Sequence, residues 1–182
     1  PGQIMVETSH PGVMLLPAST ALATLERNIS KQEGMGLVVS KTLAQIWEDF
    51  DYVLIDSPPL LGVLMINALA ACERLLIPVQ TEYMALKGLE RMVHTLKMVM
   101  HSRHQEFQYT VIPTMFDRRT HASVKSLRQL KKDYDGHIWH SAIPVDTKLR
   151  DASKEGLAIS DMDPKSRGAL SYSNLLKTLL AA

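Results

Sequence analysis

Asp51-Tyr52-Val53-Leu54-Ile55-Asp56-Ser57-Pro58-Pro59 carries the clearest chemistry in the chain. Four apolar residues running into a carboxylate read as a buried parallel strand, because a strand covered on both faces has no polar side with which to alternate. In open α/β sheets ligands sit at the carboxyl ends of the strands, which places Asp56 where a ligand binds. The two prolines then stop the strand. An aspartate so placed can hold Mg²⁺, often through water, beside a nucleotide phosphate, as in a Walker B strand. The alternative is an ordinary strand with an acidic cap, and the motif alone leaves both open.

A nucleotide site also needs a phosphate cradle, and the P-loop pattern is GxxxxGK[ST] between a strand and a helix. Gly34-Met35-Gly36-Leu37-Val38-Val39-Ser40-Lys41-Thr42 fails it. The spacing is wrong from either glycine, Ser40 stands where glycine should let the backbone close on phosphate, and no buried strand precedes it. Lys41-Thr42 therefore reads as a solvated helix face. His101 and His104 stand i, i+3 at a helix end, but two imidazoles without a carboxylate or thiolate are too few for a metal, so they read as surface histidines. Between Asp117 and Lys132 six basic residues (Arg118, Arg119, Lys125, Arg128, Lys131, Lys132) face one acid. That excess suits a polyanion, and equally suits a solvated face.

The elements that must position these groups alternate. Gln3–Thr8 and Val13–Pro17 read as short strands around the turn residues His10-Pro11-Gly12. Ser19 or Thr20 can cap a helix reaching Asn28, a polar loop covers Lys31–Gly36, and Val38–Asp49 is a helix with Val39, Leu43, Ile46 and Trp47 on one face. After the Tyr52–Asp56 strand, Leu61–Cys72 is a buried helix and Leu75–Val79 a buried strand. Leu89, Met92, Val93, Leu96, Val99 and Met100 give Met84–Met100 the 3/4 spacing of an amphipathic helix. Tyr109–Met115 is a strand, Ser123–Tyr134 a helix with Val124, Leu127 and Leu130 inward, and Ile138–Ile143 a further strand. A short helix ends at Gly156. Asp163-Pro164 forms an N-cap with proline at the first helical position, ahead of a last helix carrying Leu175, Leu176, Leu179 and Leu180. Strand–helix alternation means βαβ units, hence an α/β fold with a mostly parallel twisted sheet and helices on both faces.

Composition narrows the field. The chain has 182 residues, 46% hydrophobic and 21% charged, enough for one domain with a proper core. A net charge of +1 sets up no global field toward nucleic acid or membrane. The single cysteine, Cys72, excludes an internal disulfide and reads as a small core residue, consistent with a reducing cytoplasm. The ten methionines are core filler or, around Met84 and Met92, an adaptable interface. No apolar run approaches the ~20 residues of a membrane span. The opening Pro1-Gly2 has no signal-peptide pattern and reads as mid-domain, as a fragment would.

Several ordered blocks together resemble the ParA/MinD superfamily of deviant-Walker ATPases, and ParA/Soj more than MinD. They are Val13-Met14-Leu15-Leu16-Pro17-Ala18-Ser19, Phe50 through Pro59 with Asn67-Ala68-Leu69, and Pro78-Val79-Gln80-Thr81-Glu82 with Gly88-Leu89. Thr114-Met115-Phe116-Asp117-Arg118-Arg119-Thr120, Ile143-Pro144 and Tyr172 follow. The resemblance implies a P-loop NTPase-like fold whose phosphate loop, absent from these residues, would lie upstream of Pro1 together with the first βαβ unit. Residues 1–182 would then be a single truncated nucleotide-binding domain.

On that resemblance Asp56 is the Walker B aspartate that helps position Mg²⁺ and the attacking water. Ser57, Pro58 and Pro59 sense the γ-phosphate and couple ATP state to dimerisation. Thr114 faces the adenine, and Pro144, Val145 and Asp146 form the loop beside the base, largely through backbone. Taken alone, Pro144 reads better as a bland turn after a strand. Arg119 and Lys148 match positions that bind DNA without sequence preference, although either reads equally well as solvated. The cofactors implied are ATP and Mg²⁺. The partners implied are non-specific DNA, a cargo adaptor or ATPase-stimulating protein, and a second copy in a homodimer, with no membrane, in a bacterial cytoplasm at the nucleoid or the pole. The activity expected is ATP-driven partitioning or positioning of DNA or protein clusters. Thr20-Ala21-Leu22-Ala23-Thr24-Leu25-Glu26-Arg27 and Gly62–Cys72 are similar to a subgroup that positions chemotaxis clusters. A non-enzymatic pseudo-ATPase that binds DNA or a partner is the competing expectation. A MinD-type membrane positioner ranks behind both, since one lysine, Lys177, ahead of Leu179-Leu180-Ala181-Ala182 makes a poor anchor.

Overall fold

A computed structural model describes residues 2, 4–22, 35–58, 62–103 and 108–181, and the backbone clusters into two compact units, Pro1–Glu73 and Arg74–Ala182. The expected helix beyond residue 22, the loop over 31–34, Pro59 and His104 lie outside the described residues, as does the side chain of His101.

The first unit opens with a hairpin. Strands β1 (Val6–Glu7) and β2 (Met14–Leu15) pair antiparallel, Val6 with Leu15 and Glu7 with Met14. The turn works as its residues require: Gly12 adopts φ +80°, which a glycine tolerates without strain. The Thr8 hydroxyl donates to the Val13 carbonyl at 2.8 Å. Helix α1 (Val38–Leu43) is shorter than the apolar pattern suggests, and a 3₁₀ turn over Trp47–Asp49 leaves Trp47 exposed rather than facing inward. Helix α2 (Val63–Ala71) is apolar nearly all round and buries Met65, Ala68 and Leu69. Its Asn67, buried among them, accepts the Val39 amide through Oδ1 at 3.1 Å and donates from Nδ2 to the Val63 carbonyl at 2.8 Å. One amide side chain thus fastens the start of α1, which has no side-chain cap of its own.

The run Tyr52–Asp56 departs from expectation. It is not a strand: Tyr52 is 74% exposed and Leu54 89%. A strand exists only where its amides and carbonyls find a ladder partner, and this run has none among the described residues.

The second unit is built on strands β3 (Arg74–Gln80) and β4 (Gln108–Thr114), paired in parallel from Arg74–Gln108 to Gln80–Thr114. The crossover between them is helix α3 (Tyr83–Arg103), which buries Leu89, Val93 and Leu96 at the 3/4 spacing of its apolar stripe. Val111, Ile112 and Pro113 are buried in succession, so both faces of β4 are covered. Helix α4 (His121–Asp133) buries Leu130 and, unforeseen in its apolar pattern, Ser123 and Ser126. Helices α5 (Lys148–Glu155), α6 (Ile159–Met162) and α7 (Arg167–Leu180) complete the unit. Ile112 packs in a core with Trp139, Ile143 and Leu175, edged by Leu76, Leu149 and Leu179.

Two further expectations are corrected here. Ile138–Ile143 runs beside β4 without forming a regular strand. The Trp139 amide donates to the Val111 carbonyl at 2.9 Å, but the next rung, to the Pro113 carbonyl, comes from Ile143 rather than from Ser141. Two residues too many separate the rungs, so the ladder survives as isolated bridges. The last helix is capped not by Asp163 but by Ser166, whose hydroxyl accepts the Ala169 amide at 3.2 Å. Asp163 instead closes α6 and pairs with Lys148. Gly156 does end α5, in the left-handed conformation at φ +67°.

Candidate functional site at the carboxyl ends of the parallel strands

Ligands of parallel sheets bind beyond the carboxyl ends of the strands, and in the second unit those ends are Gln80 and Thr114. Just past them the Thr81 amide donates to the Thr114 carbonyl at 3.0 Å. The chain then turns through Met115, whose φ of +52° is unusual for a residue with a side chain. Phe116 bridges to Pro144: its amide donates to the Ile143 carbonyl and its carbonyl accepts the Val145 amide, both at 3.0 Å. Thr114, Pro144 and Val145, spread over thirty residues of sequence, thus lie on two adjoining segments.

A buried chain of hydrogen bonds holds the 115–120 turn. The Thr81 and Ser123 hydroxyls lie 2.6 Å apart, the Thr81 hydroxyl donates to the Met115 carbonyl at 3.3 Å, and the Asp117 amide donates to Ser123 Oγ at 3.0 Å. With Thr81's only proton on Met115, the proton between the hydroxyls is Ser123's. The chain runs Asp117 N–H to Ser123 to Thr81 to the Met115 carbonyl, one donor per link. The sequence names Thr81 only within the block Pro78–Glu82 and gives Ser123 no role; the one sign of Ser123 is its place at the start of a helix read for Val124, Leu127 and Leu130.

The charged groups pair locally. Arg119 folds back on Asp117, with Nε at 2.9 Å from Oδ1 and Nη2 at 2.8 Å from Oδ2, while the Arg119 amide also donates to Oδ1 at 3.0 Å. The guanidinium bonds, with the amide bond beside them, pull the Asp117 carboxyl down to about 2 and raise Arg119 above its ordinary value. Asp146 accepts the Gly168 amide on Oδ2 at 2.9 Å and the Lys148 amide on Oδ1 at 3.1 Å. The Gly168 bond is the larger cause of its lowered pKa. The Asp146 carboxylate therefore fastens the starts of α5 and α7. Lys148 Nζ lies 3.5 Å from Asp163 Oδ2. Both basic residues picked out for DNA are thus already paired. By contrast His121, Lys125, Arg128 and Lys132, at i, i+4, i+7 and i+11, form one exposed stripe along α4. None of the ion pairs among the described residues uses it.

In the first unit Asp56 is exposed and Ser57 half-buried. A carboxylate next to a hydroxyl offers the hard oxygen donors that Mg²⁺ prefers. Among the described residues no group of three or more His, Cys, Asp or Glu gathers to hold a metal, and no helix is long and apolar enough to cross a membrane.

Residues 2–109 match the family model described as AAA domain. The chain is 32% identical over 179 residues to the sporulation initiation inhibitor protein Soj of Bacillus subtilis, covering 98% of this chain and 71% of that protein. It is 33% identical over 179 residues to the chromosome-partitioning ATPase Soj of Treponema pallidum, with the same coverage. Among solved structures it is similar to cobyrinic acid a,c-diamide synthase from Mycobacterium smegmatis with bound ADP and magnesium: TM-score 0.81, 29% identity, covering 99% of this chain and 66% of that one. The chain thus spans about two thirds of the length of these relatives. The parallel α/β unit, the ordered motif blocks and these likenesses agree: the chain belongs to the ParA/Soj family of partitioning ATPases, with a P-loop NTPase-like fold.

Proposed function

We propose that this protein is a ParA-like ATPase that couples hydrolysis of Mg-ATP to partitioning or positioning of DNA or of a protein cluster in the bacterial cytoplasm. The observation that carries the reading is the 32–33% identity over 98% of the chain to Soj proteins, one of them named a chromosome-partitioning ATPase. The synthase structure with ADP and magnesium adds support for the cofactors.

Bound ATP and Mg²⁺ would supply the transferable phosphoryl group and its charge neutralisation. Asp56 would hold the cation through its carboxylate and orient the attacking water. Ser57, with Pro58 and Pro59, would report whether a γ-phosphate is present. Thr114 and the Pro144–Val145 backbone would line the base. The Val145 carbonyl already accepts Arg167 Nη2 at 3.2 Å, and the Asp146 side chain is engaged in holding two helices, so Asp146 would act by positioning this loop. Phosphoryl transfer of this kind needs positioning and charge rather than a covalent intermediate.

DNA would be met without sequence preference, through phosphate contacts. The α4 stripe spans roughly 16 Å at the ordinary helical rise, with Arg119 at its head and Lys148 in reserve. A stimulating partner and ATP-dependent homodimerisation belong to the same reading, with a chemotaxis cluster among the cargoes it admits.

The test is titration calorimetry with Mg-ATP on the full-length protein, followed by hydrolysis assays on Asp56→Ala. Binding with hydrolysis abolished in the variant supports the reading. Absence of binding in the wild type overturns it and puts a DNA- or partner-binding pseudo-ATPase in its place.

A further inference from the structure

We infer that the Met115 side chain is the apolar face on which the base of the bound nucleotide rests, and that it sets part of the preference for a purine. The inference rests on the reading of Thr114 and the Pro144–Val145 backbone as the base subsite. Among the described residues Met115 is the one non-glycine with a positive φ, at +52°. The left-handed region costs energy for a residue with a long side chain, and glycine, asparagine or aspartate meets it with less strain. Strain of this kind persists only where the surroundings over-determine it, and it gathers at ligand clamps.

The surroundings of Met115 fix it from both sides. The Thr81 amide donates to the Thr114 carbonyl at 3.0 Å and the Thr81 hydroxyl to the Met115 carbonyl at 3.3 Å. One residue on, the Phe116 amide and carbonyl are both bound to the 143–145 segment, and the Asp117 amide is bound to Ser123. Thr81 and Ser123 are buried, so water does not compete for these bonds. None of them uses the Met115 side chain, which is 41% exposed. The turn therefore carries a strained residue whose side chain neither holds the backbone nor belongs to the buried core.

Its position supplies the missing reason. Met115 stands between Thr114, the last residue of β4, and Phe116, which bridges to Pro144. The hydroxyl and backbone groups of the subsite can meet the polar edges of a base but give no cover to its flat face. A thioether on a flexible stem is polarizable and makes favourable contacts with aromatic rings. A two-ring purine offers it more apolar area than a one-ring pyrimidine, so this contact favours ATP over CTP.

Met115→Gly in the full-length protein removes the side chain and relieves the strain together. Its urea midpoint is expected to be no lower than that of the wild type. Calorimetry is nevertheless expected to show Mg-ATP bound about tenfold more weakly, from the lost sulfur–ring contact and apolar cover. Mg-CTP carries the same phosphates and ribose on a single ring and should weaken by less than about threefold, so that the preference for ATP narrows. Met115→Leu keeps the volume and should stay within about threefold of the wild type for Mg-ATP. Thr114→Trp, which fills the base subsite, tests the underlying reading. If Thr114→Trp loses Mg-ATP binding while Met115→Gly leaves it unchanged, or weakens Mg-ATP and Mg-CTP alike, the inference is overturned and the base subsite stands. If neither variant alters Mg-ATP binding, the base-subsite reading falls and the inference with it.

Discussion

Replacing Ser123 with alanine tests whether the turn beyond β4 is held as the structure indicates. Ser123 is 6% exposed and sits in the middle of the chain of donors from the Asp117 amide to the Met115 carbonyl. The substitution removes two hydrogen bonds and leaves the Asp117 amide, part-buried, without its acceptor; Thr81 keeps its bond to Met115. An orphaned buried donor costs about 1–3 kcal/mol and a lost hydrogen bond about 1 kcal/mol. The better helix propensity of alanine returns roughly half a kcal/mol. The net expectation is a loss of about 2 kcal/mol, or about 4–8 °C in Tm for a chain of this size. Thr81→Val, which keeps the shape and removes the hydroxyl, should lose about 1–2 kcal/mol. The double variant should fall short of the sum by about 1 kcal/mol, since the 2.6 Å bond between the hydroxyls can be lost only once. Urea unfolding reads all three, with an unchanged m-value showing that the midpoint shift is stability. A loss below about 0.5 kcal/mol for Ser123→Ala, the range of ordinary surface changes, would refute the account of how this turn is held.

Three other outcomes follow from single residues. Asp117 should titrate at about 2 by carboxyl NMR, and Arg119→Ala should return it toward the ordinary carboxylate value of 3.8. Because its folded pKa is depressed, its contribution to stability is present above about 3.8 and fades as pH falls toward about 2. Asp146→Ala removes the acceptor from the Gly168 and Lys148 amides at two helix starts and should cost about 1–2 kcal/mol in urea unfolding. Its Mg-ATP affinity, per folded molecule, should change less than its stability; a selective loss of nucleotide binding would assign Asp146 to the base instead. Gly156→Ala places a side chain at φ +67° and should destabilise by about 1 kcal/mol. A neutral result would mean that the end of α5 re-forms without the left-handed residue.

What could be read from the sequence was whatever depends on local periodicity. Helix α3 and strands β3 and β4 fell where their apolar spacing placed them, because Leu89, Val93 and Leu96 or Val111 and Ile112 each need cover that only one kind of element supplies. The failures have a common origin in non-local partners. Ile138–Ile143 has strand-forming residues, yet its register is set by which carbonyls of β4 it can reach, and two extra residues between rungs were invisible in its composition. Asp163-Pro164 has the chemistry of a helix start, but Ser166 three residues later reaches the Ala169 amide and takes the cap. Arg119 and Lys148 were legible as cations and illegible as partners of Asp117 and Asp163, since pairing depends on where a turn points the chain.

The same reasoning bears on Asp56. An apolar run states a demand for burial on two faces, and exposed Tyr52 and Leu54 on one face with exposed Val53 on the other leave that demand unmet. Burying these side chains would stabilise the segment by several kcal/mol at about 25 cal/mol per Å². Among the described residues this run thus has much to gain from being taken into a covered sheet. Ordering it would also fix the direction of the Asp56 carboxylate, because a side chain at the end of a paired strand inherits the strand's geometry. Cation binding at Asp56 and pairing of Tyr52–Ile55 should therefore rise together: amide exchange along the run should slow in the same titration that shows Mg-ATP binding.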